Sequence, residues 1–323
     1  MLAETTTLAC VALGLEAACG YPEALYRRVR HPVVWMGALL SRLERRLNWP
    51  AWGFARRRFG GAFTLLGLLA ATAAVTLPLD LLAGRYALGF GLAAVLGASL
   101  PAQRSLHEHV RAVADALDRD GLIGGRRTVA MIVGRDPEAL DEAGVARAAI
   151  ESLAENFSDG IVAPAVWLAF GGLTGGALYK AINTADSMIG HCSDRYRAFG
   201  WAAARLDDVV NLPASRLSAL WISLAALVTR ADAGGALRAV WRDAGHHRSP
   251  NAGWPEAAMA GALGIALAGP RVYGTTRIND PFIGGARRSA TSDDIRRALR
   301  LYRIAAAVQW FSLVGLAIAL HVL

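Results

Sequence analysis

Long uncharged apolar runs alternate in this chain with stretches dense in Arg, Asp and Glu, and that alternation limits its fold more than any other feature. About 20 consecutive apolar residues are enough to cross the hydrocarbon core of a bilayer. Phe59 to Leu79, Gly160 to Tyr179 and Ile304 to Leu323 reach that length without an Asp, Glu, Lys or Arg. Tyr86 to Gln103 is nearly as long, and Leu2 to Cys19 qualifies with Glu4 and Glu16 near its ends. Leu217 to Thr229 and Ala257 to Pro270 are shorter, a length more typical of interfacial, re-entrant or protein-buried segments. With 54% hydrophobic residues, the chain of 323 holds more apolar surface than a soluble core requires. The expected fold class is therefore all-α: a polytopic membrane helical bundle with amphipathic and re-entrant helices and cytoplasmic helical loops. The first apolar run starts at Glu4 rather than after a basic region and meets Glu16, so it is expected to stay as a span rather than be cleaved as a signal.

Orientation follows from Arg and Lys beside the spans. Between the first two spans lie Arg27, Arg28, Arg30, Arg42, Arg45, Arg46, Arg56, Arg57 and Arg58, against only Arg85 in the following turn. The first segment is expected in the cytoplasm and the second outside. The net charge of +8 then reflects cytoplasmic retention of arginine, and no nucleic-acid partner is expected. Reading 1–323 as a single integral-membrane domain, we expect 20–58 and 104–159 to be cytoplasmic and 180–216 and 230–303 to be polar, site-forming segments. Within the first loop Val33, Val34, Met36, Leu39, Leu40, Leu43 and Leu47 recur at helical spacing opposite Arg42, Arg45 and Arg46, which predicts an amphipathic helix on the membrane surface. Glycines at 121, 124 and 125 and the Gly134 to Pro137 stretch predict breaks between the helices of 104–159. Cys10, Cys19 and Cys192 form neither a metal-ligand pattern nor a disulfide framework.

Three clusters carry candidate chemistry. Glu151, Glu155 and Asp159 are spaced i, i+4, i+8, so they share one face if the helix persists, and like charges so placed call for a Mg2+ or amine partner. Asn156 and Ser158 add polar groups where the chain enters an apolar run. After that run, Lys180, Asn183 and Asp186 or Ser187 fall on one helical face, followed by Trp201, Arg205, Asp207, Asp208 and Asn211. Polar groups at membrane depth are functional candidates: Lys180 and Arg205 for phosphates or carboxylates, Asp207 and Asp208 for a divalent metal. The third cluster runs from Asp243 through His246, His247, Asn251 and Trp254 to Glu256, in a Pro/Gly/Asn-rich turn where a single His is expected to act as hydrogen-bond donor or acid/base. Adjacent His residues point apart, so a two-His metal site is not expected.

Taken together these pieces resemble the CobD/CbiB family, the adenosylcobinamide-phosphate synthases of cobalamin biosynthesis, over almost the whole chain. The resemblance rests on His31-Pro32-Val33 with Gly37; Ile132-Val-Gly134-Arg135-Asp136; Glu151-Ser152-Leu-Ala-Glu155-Asn156-Phe-Ser-Asp159-Gly160; Lys180-Ala-Ile-Asn183-Thr-Ala-Asp186-Ser187-Met188; Phe199-Gly200-Trp201 with Ala204-Arg205-Leu206-Asp207-Asp208; and Ser249-Pro250-Asn251-Ala-Gly253-Trp254-Pro255-Glu256. The chain departs from the pattern at Tyr21, where a carboxylate is usual, at Pro137, where Thr is common, and at His191, where an aromatic is common. The resemblance implies an inner-membrane ligase that uses ATP and Mg2+ to join (R)-1-amino-2-propanol or its O-phosphate to the free propionate of adenosylcobyric acid, a cobalt corrinoid. It also implies membrane lipid as a partner, with a homo-oligomer or a complex with other late cobalamin-pathway membrane enzymes as the assembly to look for. The residue chemistry then places Glu151, Glu155, Lys180, Asp186, Arg205 and Asp207 in catalysis. Substrate binding is expected of Asn156, Asn183, Ser187, Trp201, His246, Asn251 and Trp254, and metal binding of Asp159 and Asp208, although spacing alone does not divide the carboxylates between metal and base.

The alternatives are a membrane transporter or sensor of related architecture, whose polar residues would line a path, and an intramembrane lipid-type transferase. A sensor has no reason to keep all three clusters. The transferase motifs are incomplete here, since Pro164 stands where the CDP-alcohol phosphotransferase motif needs Arg and Gly190 where prenyltransferases need Asp. One further expectation concerns topology. A straight crossing from Gly160 to Tyr179 would part the Lys180 cluster from a cytoplasmic Glu151 cluster, so the run, with Pro164, Gly171-Gly172 and Gly175-Gly176, is expected to bend and let the two meet on the cytoplasmic side.

Overall fold

The computed structural model describes the chain apart from residues 135, 274, 275 and 279. Arg135 of the Ile132 to Asp136 motif thus lies outside the described residues. The helices are α1 (Leu2–Cys19), α2 (Glu23–Val29), α3 (Pro32–Leu47), α4 (Phe54–Ala83), α5 (Ala87–Gly97), α6 (Gln103–Val129), α7 (Glu142–Phe157), α8 (Ala163–Ile189), α9 (Trp201–Val210), α10 (Leu212–Val228), α11 (Ala233–Asp243), α12 (Gly253–Leu263) and α13 (Ser292–Val322). Between α12 and α13 lie four strands of three residues, β1 (Ala266–Ala268), β2 (Arg271–Tyr273), β3 (Thr276–Ile278) and β4 (Phe282–Gly284). Among the described residues four stretches are long and apolar enough to span a membrane: α1, α4, α13 and the run Glu142–Ile189. A fifth arises if α9 and α10 form one span. The chain is a polytopic helical membrane protein.

Two compact units emerge. The first comprises Met1–Ala102, Ala163–Asn211 and Ser312–Leu323, the second Gln103–Val162 and Leu212–Phe311.

In the first unit Leu8, Ala9 and Ala12 of α1 pack on Ala93 and Ala94 of α5 and on Leu168 and Leu173 of α8. Small residues at these contacts let backbones approach closely, which replaces the hydrophobic drive that lipid-exposed helices lack. Helix α5 is shorter than the Tyr86 to Gln103 run suggests. Hydrophobicity sets the run's length, but Ser99 turns its hydroxyl back to Leu96 O (2.7 Å) and Pro101 cannot extend the helix. Helix α3 is amphipathic as expected, but it lies along another helix rather than free on a surface. Leu47 backbone meets Gly60, Leu43 lies 3.5 Å from where a Cβ on Gly67 would stand, and Trp35 lines a groove with Val75, so α3 runs antiparallel to α4. Its buried Leu40 joins Leu65 and Leu68 of α4 and Ala181, Ala185 and Ile189 of α8 in a second core.

Helix α8 is broken at Gly172, whose φ of 63° and ψ of −158° lie outside the helical region and favour glycine. The break frees backbone N–H groups, and Asp80 near the end of α4 takes two of them: Oδ1 accepts from Leu173 N (2.9 Å) and Oδ2 from Thr174 N (2.8 Å). The expected bend within Gly160 to Tyr179 is therefore present, with a carboxylate from another helix capping the new N-terminus.

In the second unit α7 begins at an Asp141 cap, whose Oδ1 accepts from Gly144 N (2.6 Å), and is buried nearly throughout from Val145 to Leu153. A π-helical turn, Ser158–Val162, follows it. Helix α6 is broken at Gly121 (φ 60°), as its glycines predict. Tyr302 packs edge-on against Phe157, with ring centroids 5.6 Å apart, and its hydroxyl donates to Gln103 O (2.8 Å). The Ala257 to Pro270 run is not one helix: α12 ends at Gly264 in the left-handed region (φ 68°), and β1 then pairs antiparallel with β4 in the register Ala266 to Gly284. A second pair, β2 with β3, is also antiparallel.

Candidate active-site clusters

In the first unit the broken α8 sets the stage. Its second half carries Tyr179, Lys180, Asn183, Asp186 and Ser187, and α9 supplies Arg205, Asp207 and Asp208. Asp207 is buried, and each of its oxygens is held: Oδ1 accepts from Asn183 Nδ2 (3.4 Å) and Oδ2 from Asn211 Nδ2 (2.9 Å). Asn211, itself fully buried, accepts at Oδ1 from the Tyr179 hydroxyl (2.8 Å). This chain of amides and phenol fixes the carboxylate in one orientation. Asp186 and Asp208 stand close enough that the carboxylates of all three repel one another. Arg205 pairs with Asp208 one helical turn away (3.1 Å) and remains largely exposed.

Lys180 lies on the side of this group facing His31. His31 caps α3, its Nδ1 accepting from Val33 N (3.3 Å). Burial first, and then the Lys180 ammonium, hold its pKa below the ordinary 6.5, against a hydrogen bond with the Ser99 backbone that acts the other way. Tyr21, one of the residues that depart from the family pattern, packs against His31 at a tilt, with centroids 4.5 Å apart and ring planes at 56°, and donates to Arg30 O (2.8 Å). Trp201 is exposed with the Arg58 guanidinium 3.5 Å above its ring, and the Ser187 hydroxyl is taken up by Asn183 O (2.9 Å).

In the second unit the expected acidic face is divided. Glu151 is turned inward and accepts at Oε1 from Ala268 N of β1 (2.9 Å), Glu155 and Asn156 are exposed, and Asp159 is half-buried in the π-helical turn. Asn156 Nδ2 donates back to Ser152 O (2.9 Å). The i, i+4, i+8 spacing thus leads to three different surroundings. The change of helical pitch after Phe157 and the β1 edge against α7 are the cause.

The turn before α12 is docked on α10. Asn251 Oδ1 accepts from Ser215 Oγ and from Arg216 Nη1, both at 3.0 Å, and Arg216 lies 4.5 Å over the Trp254 ring. Of the two histidines, His246 is exposed. His247 is the one turned inward, with Nδ1 accepting from Ser249 N (3.0 Å) and Nε2 at 3.9 Å from buried Glu256. Asp243 is buried; desolvation alone would raise its pKa, but Arg242 and the Gly284 backbone N–H outweigh it and hold it below the usual 3.8.

Sequence reasoning passed over Asp80, Tyr179, Ser215 and Arg216, and of the two histidines in the third cluster it chose His246 rather than His247. Asp80 had a readable signal, being a lone carboxylate at the end of an apolar run. The others look like ordinary helix or turn residues until their partners are known. Among the described residues no three His, Cys, Asp or Glu side chains form a ready-made metal cage. Mg2+ seldom uses one, since it keeps waters and binds through one or two carboxylates plus substrate phosphates, and the mutually repelling Asp186, Asp207 and Asp208 fit that habit.

Comparison with known proteins gives the family. The profile of the CobD/Cbib protein family matches residues 9–302. The chain is 50% identical over 299 residues to "Cobalamin biosynthesis protein CobD" of Rhodobacter capsulatus, covering 92% of each chain. It is 53% identical over 296 residues to the protein of the same name from a Sinorhizobium species, covering 90% of this chain and 92% of the other. Over 327 residues, 99% of each chain, it is 49% identical to that of Rhizobium meliloti. No solved structure matches it. A profile match over most of the length and relatives near half identity leave one assignment: the chain belongs to the CobD/CbiB family of cobalamin biosynthesis.

Proposed function

We propose that this protein is the adenosylcobinamide-phosphate synthase of its pathway, an ATP-dependent acid-amine ligase. ATP transfers its terminal phosphoryl group to the free propionate of adenosylcobyric acid, releasing ADP; the amine of (R)-1-amino-2-propanol or its O-phosphate attacks the acyl carbon, loses a proton and displaces phosphate, giving adenosylcobinamide or its phosphate. The observation that carries the reading is the trio Asp186, Asp207 and Asp208 on the same two helices as Lys180 and Arg205, with Asp207 immobilised by Asn183 and Asn211. Transfer from ATP depends on cationic groups that neutralise charge developing on phosphate and on a divalent ion bridging its oxygens.

Asp208 and Asp186 are the carboxylates that would hold Mg2+, which when bound would supply charge neutralisation to the nucleotide phosphates. Arg205, exposed and paired with Asp208, is placed to meet a phosphate or the corrinoid's carboxylate. Lys180 supports the developing phosphate charge, and a neutral His31 beside it leaves that ammonium without a competing cation. Asp207, desolvated and oriented, is the group suited to accept the proton that the incoming amine loses as it attacks. In the second unit, considered by itself, Trp254 with Arg216 over its ring is a candidate surface for substrate.

The membrane setting is the inner membrane, with this site open to the cytoplasm where ATP is found. The test is direct: purified protein in detergent, incubated with adenosylcobyric acid, ATP, Mg2+ and each amine in turn, with products resolved by mass. Formation of the amide with one amine supports the reading. ATP-independent formation, or none with either amine in a folded preparation, refutes it.

A further inference from the structure

Helix α3 contains four charged residues in its last turns, Arg42, Glu44, Arg45 and Arg46, and they do not share a fate. Glu44 is buried and held bidentately by Arg195 (2.9–3.0 Å) and by Asn48 Nδ2 (3.0 Å). The three arginines are exposed, and their side chains make no hydrogen bond or ion pair among the described residues. They stand at i, i+3 and i+4, where like charges repel. Leu39, Arg42, Leu43, Arg45 and Arg46 line an open cavity of about 500 Å³.

Leu39 also belongs to a second cavity, of about 240 Å³, that continues along the seam between α3 and α4. Trp35, Met36, Leu68, Thr72 and Val75 line it, and Trp35 and Val75 are exposed. A cationic cup thus adjoins, at Leu39, an apolar groove lying along a helix long enough to span the membrane. Exposed Trp49, Phe54 and Phe59 flank the cup at the start of α4, the pattern of an interfacial aromatic belt.

We propose that this face binds one anionic phospholipid, its phosphate headgroup over Arg42, Arg45 and Arg46 and part of an acyl chain in the α3–α4 groove. The shape separates this occupant from a soluble anion, which would use the cup and leave the groove empty. A zwitterionic lipid would fill the groove while its own cation opposed the arginines. Each arginine near a membrane surface contributes about fivefold to the affinity for anionic lipid at low salt.

Native mass spectrometry of the delipidated full chain provides the test, with phosphatidylglycerol, phosphatidylcholine of the same chains, and inorganic phosphate as probes. Phosphatidylglycerol is expected to remain bound at one per chain, at least tenfold better than phosphatidylcholine, and to resist millimolar phosphate. R42Q/R45Q/R46Q should bring the two lipids level, whereas V75W, which fills the groove and leaves the arginines in place, should weaken both. Equal retention of both lipids by the native chain, displacement by inorganic phosphate, or unchanged retention in a folded triple variant would overturn the proposal. So would a dimer that survives delipidation and takes up no lipid, which would assign the face to a second copy of the chain. Should the triple variant fail to fold, the native-chain comparison and V75W still decide.

Discussion

Asp207 has the least freedom of the carboxylates in its cluster, because each oxygen has an amide partner and the second amide is itself fixed by Tyr179. Asp207→Asn keeps the shape and removes the charge, so turnover should fall by about 100-fold or more while the protein stays folded, as is typical when a charge-stabilising or proton-accepting group is lost. Lys180→Ala should fall comparably. Near-normal rates in either variant, measured on membrane-inserted protein, would return that residue to a packing role. His31 supports a prediction about stability. Its folded pKa lies below the ordinary 6.5, so between the two values the unfolded chain binds the proton more readily than the folded one. Stability should therefore decline as pH falls below about 6.5. Melting in detergent at pH 7.5 and 5.5 should show that loss, and His31→Asn, which keeps the cap on α3, should show less of it. An equal slope in the variant would locate the titration elsewhere.

The break in α8 is held by two features that fail differently. Gly172 supplies a backbone with φ of 63°, and Asp80 satisfies the two N–H groups that the break exposes. Asp80→Ala leaves both donors without acceptors in apolar surroundings and should cost about 2 kcal/mol or more, seen as a lowered melting temperature, with Asp80→Asn intermediate because one acceptor remains. Gly172→Ala should also destabilise, by about 1 kcal/mol or more, since the backbone is strained for any Cβ and that Cβ would stand 2.8 Å from Asp80 Oδ1. If Asp80→Ala melts like the native protein, the carboxylate is not what maintains the break.

At the scale of the molecule the question is which side of the membrane the Lys180 cluster faces. Within the first unit the end of α8 and the segment after it return to the Arg-rich start of α4: Ile189 and Phe199 share a core with Leu65, Phe199 O lies against Gly61, and Arg57 donates to the carbonyls of Asp194 and Arg195. Asp80 and the α8 break sit at the other end of α4. The excess of arginine at 56–58 is expected to place that end of the helix in the cytoplasm, and on that orientation Ser187→Cys in a background without native thiols should react with impermeant reagents supplied from the cytoplasm. Reaction only from outside would reverse the assignment. The sequence by itself determined the helical class, the membrane spans, the bend between Gly160 and Tyr179 and the residue types of each cluster, because apolar run length, glycine content and charge are local properties of the chain. It also singled out Asp207 and Lys180 as candidates, because their polarity stands out against apolar neighbours. Only the tertiary structure decided that α3 lies along α4, that Glu151 is turned toward β1 while Glu155 stays exposed, that His247 rather than His246 faces inward, and that Asp80 caps α8. For Asp80 and Glu151 the deciding hydrogen bond has a partner remote in sequence, 93 positions for Asp80 and Leu173 and 117 for Glu151 and Ala268, and no local pattern encodes the position of a remote partner.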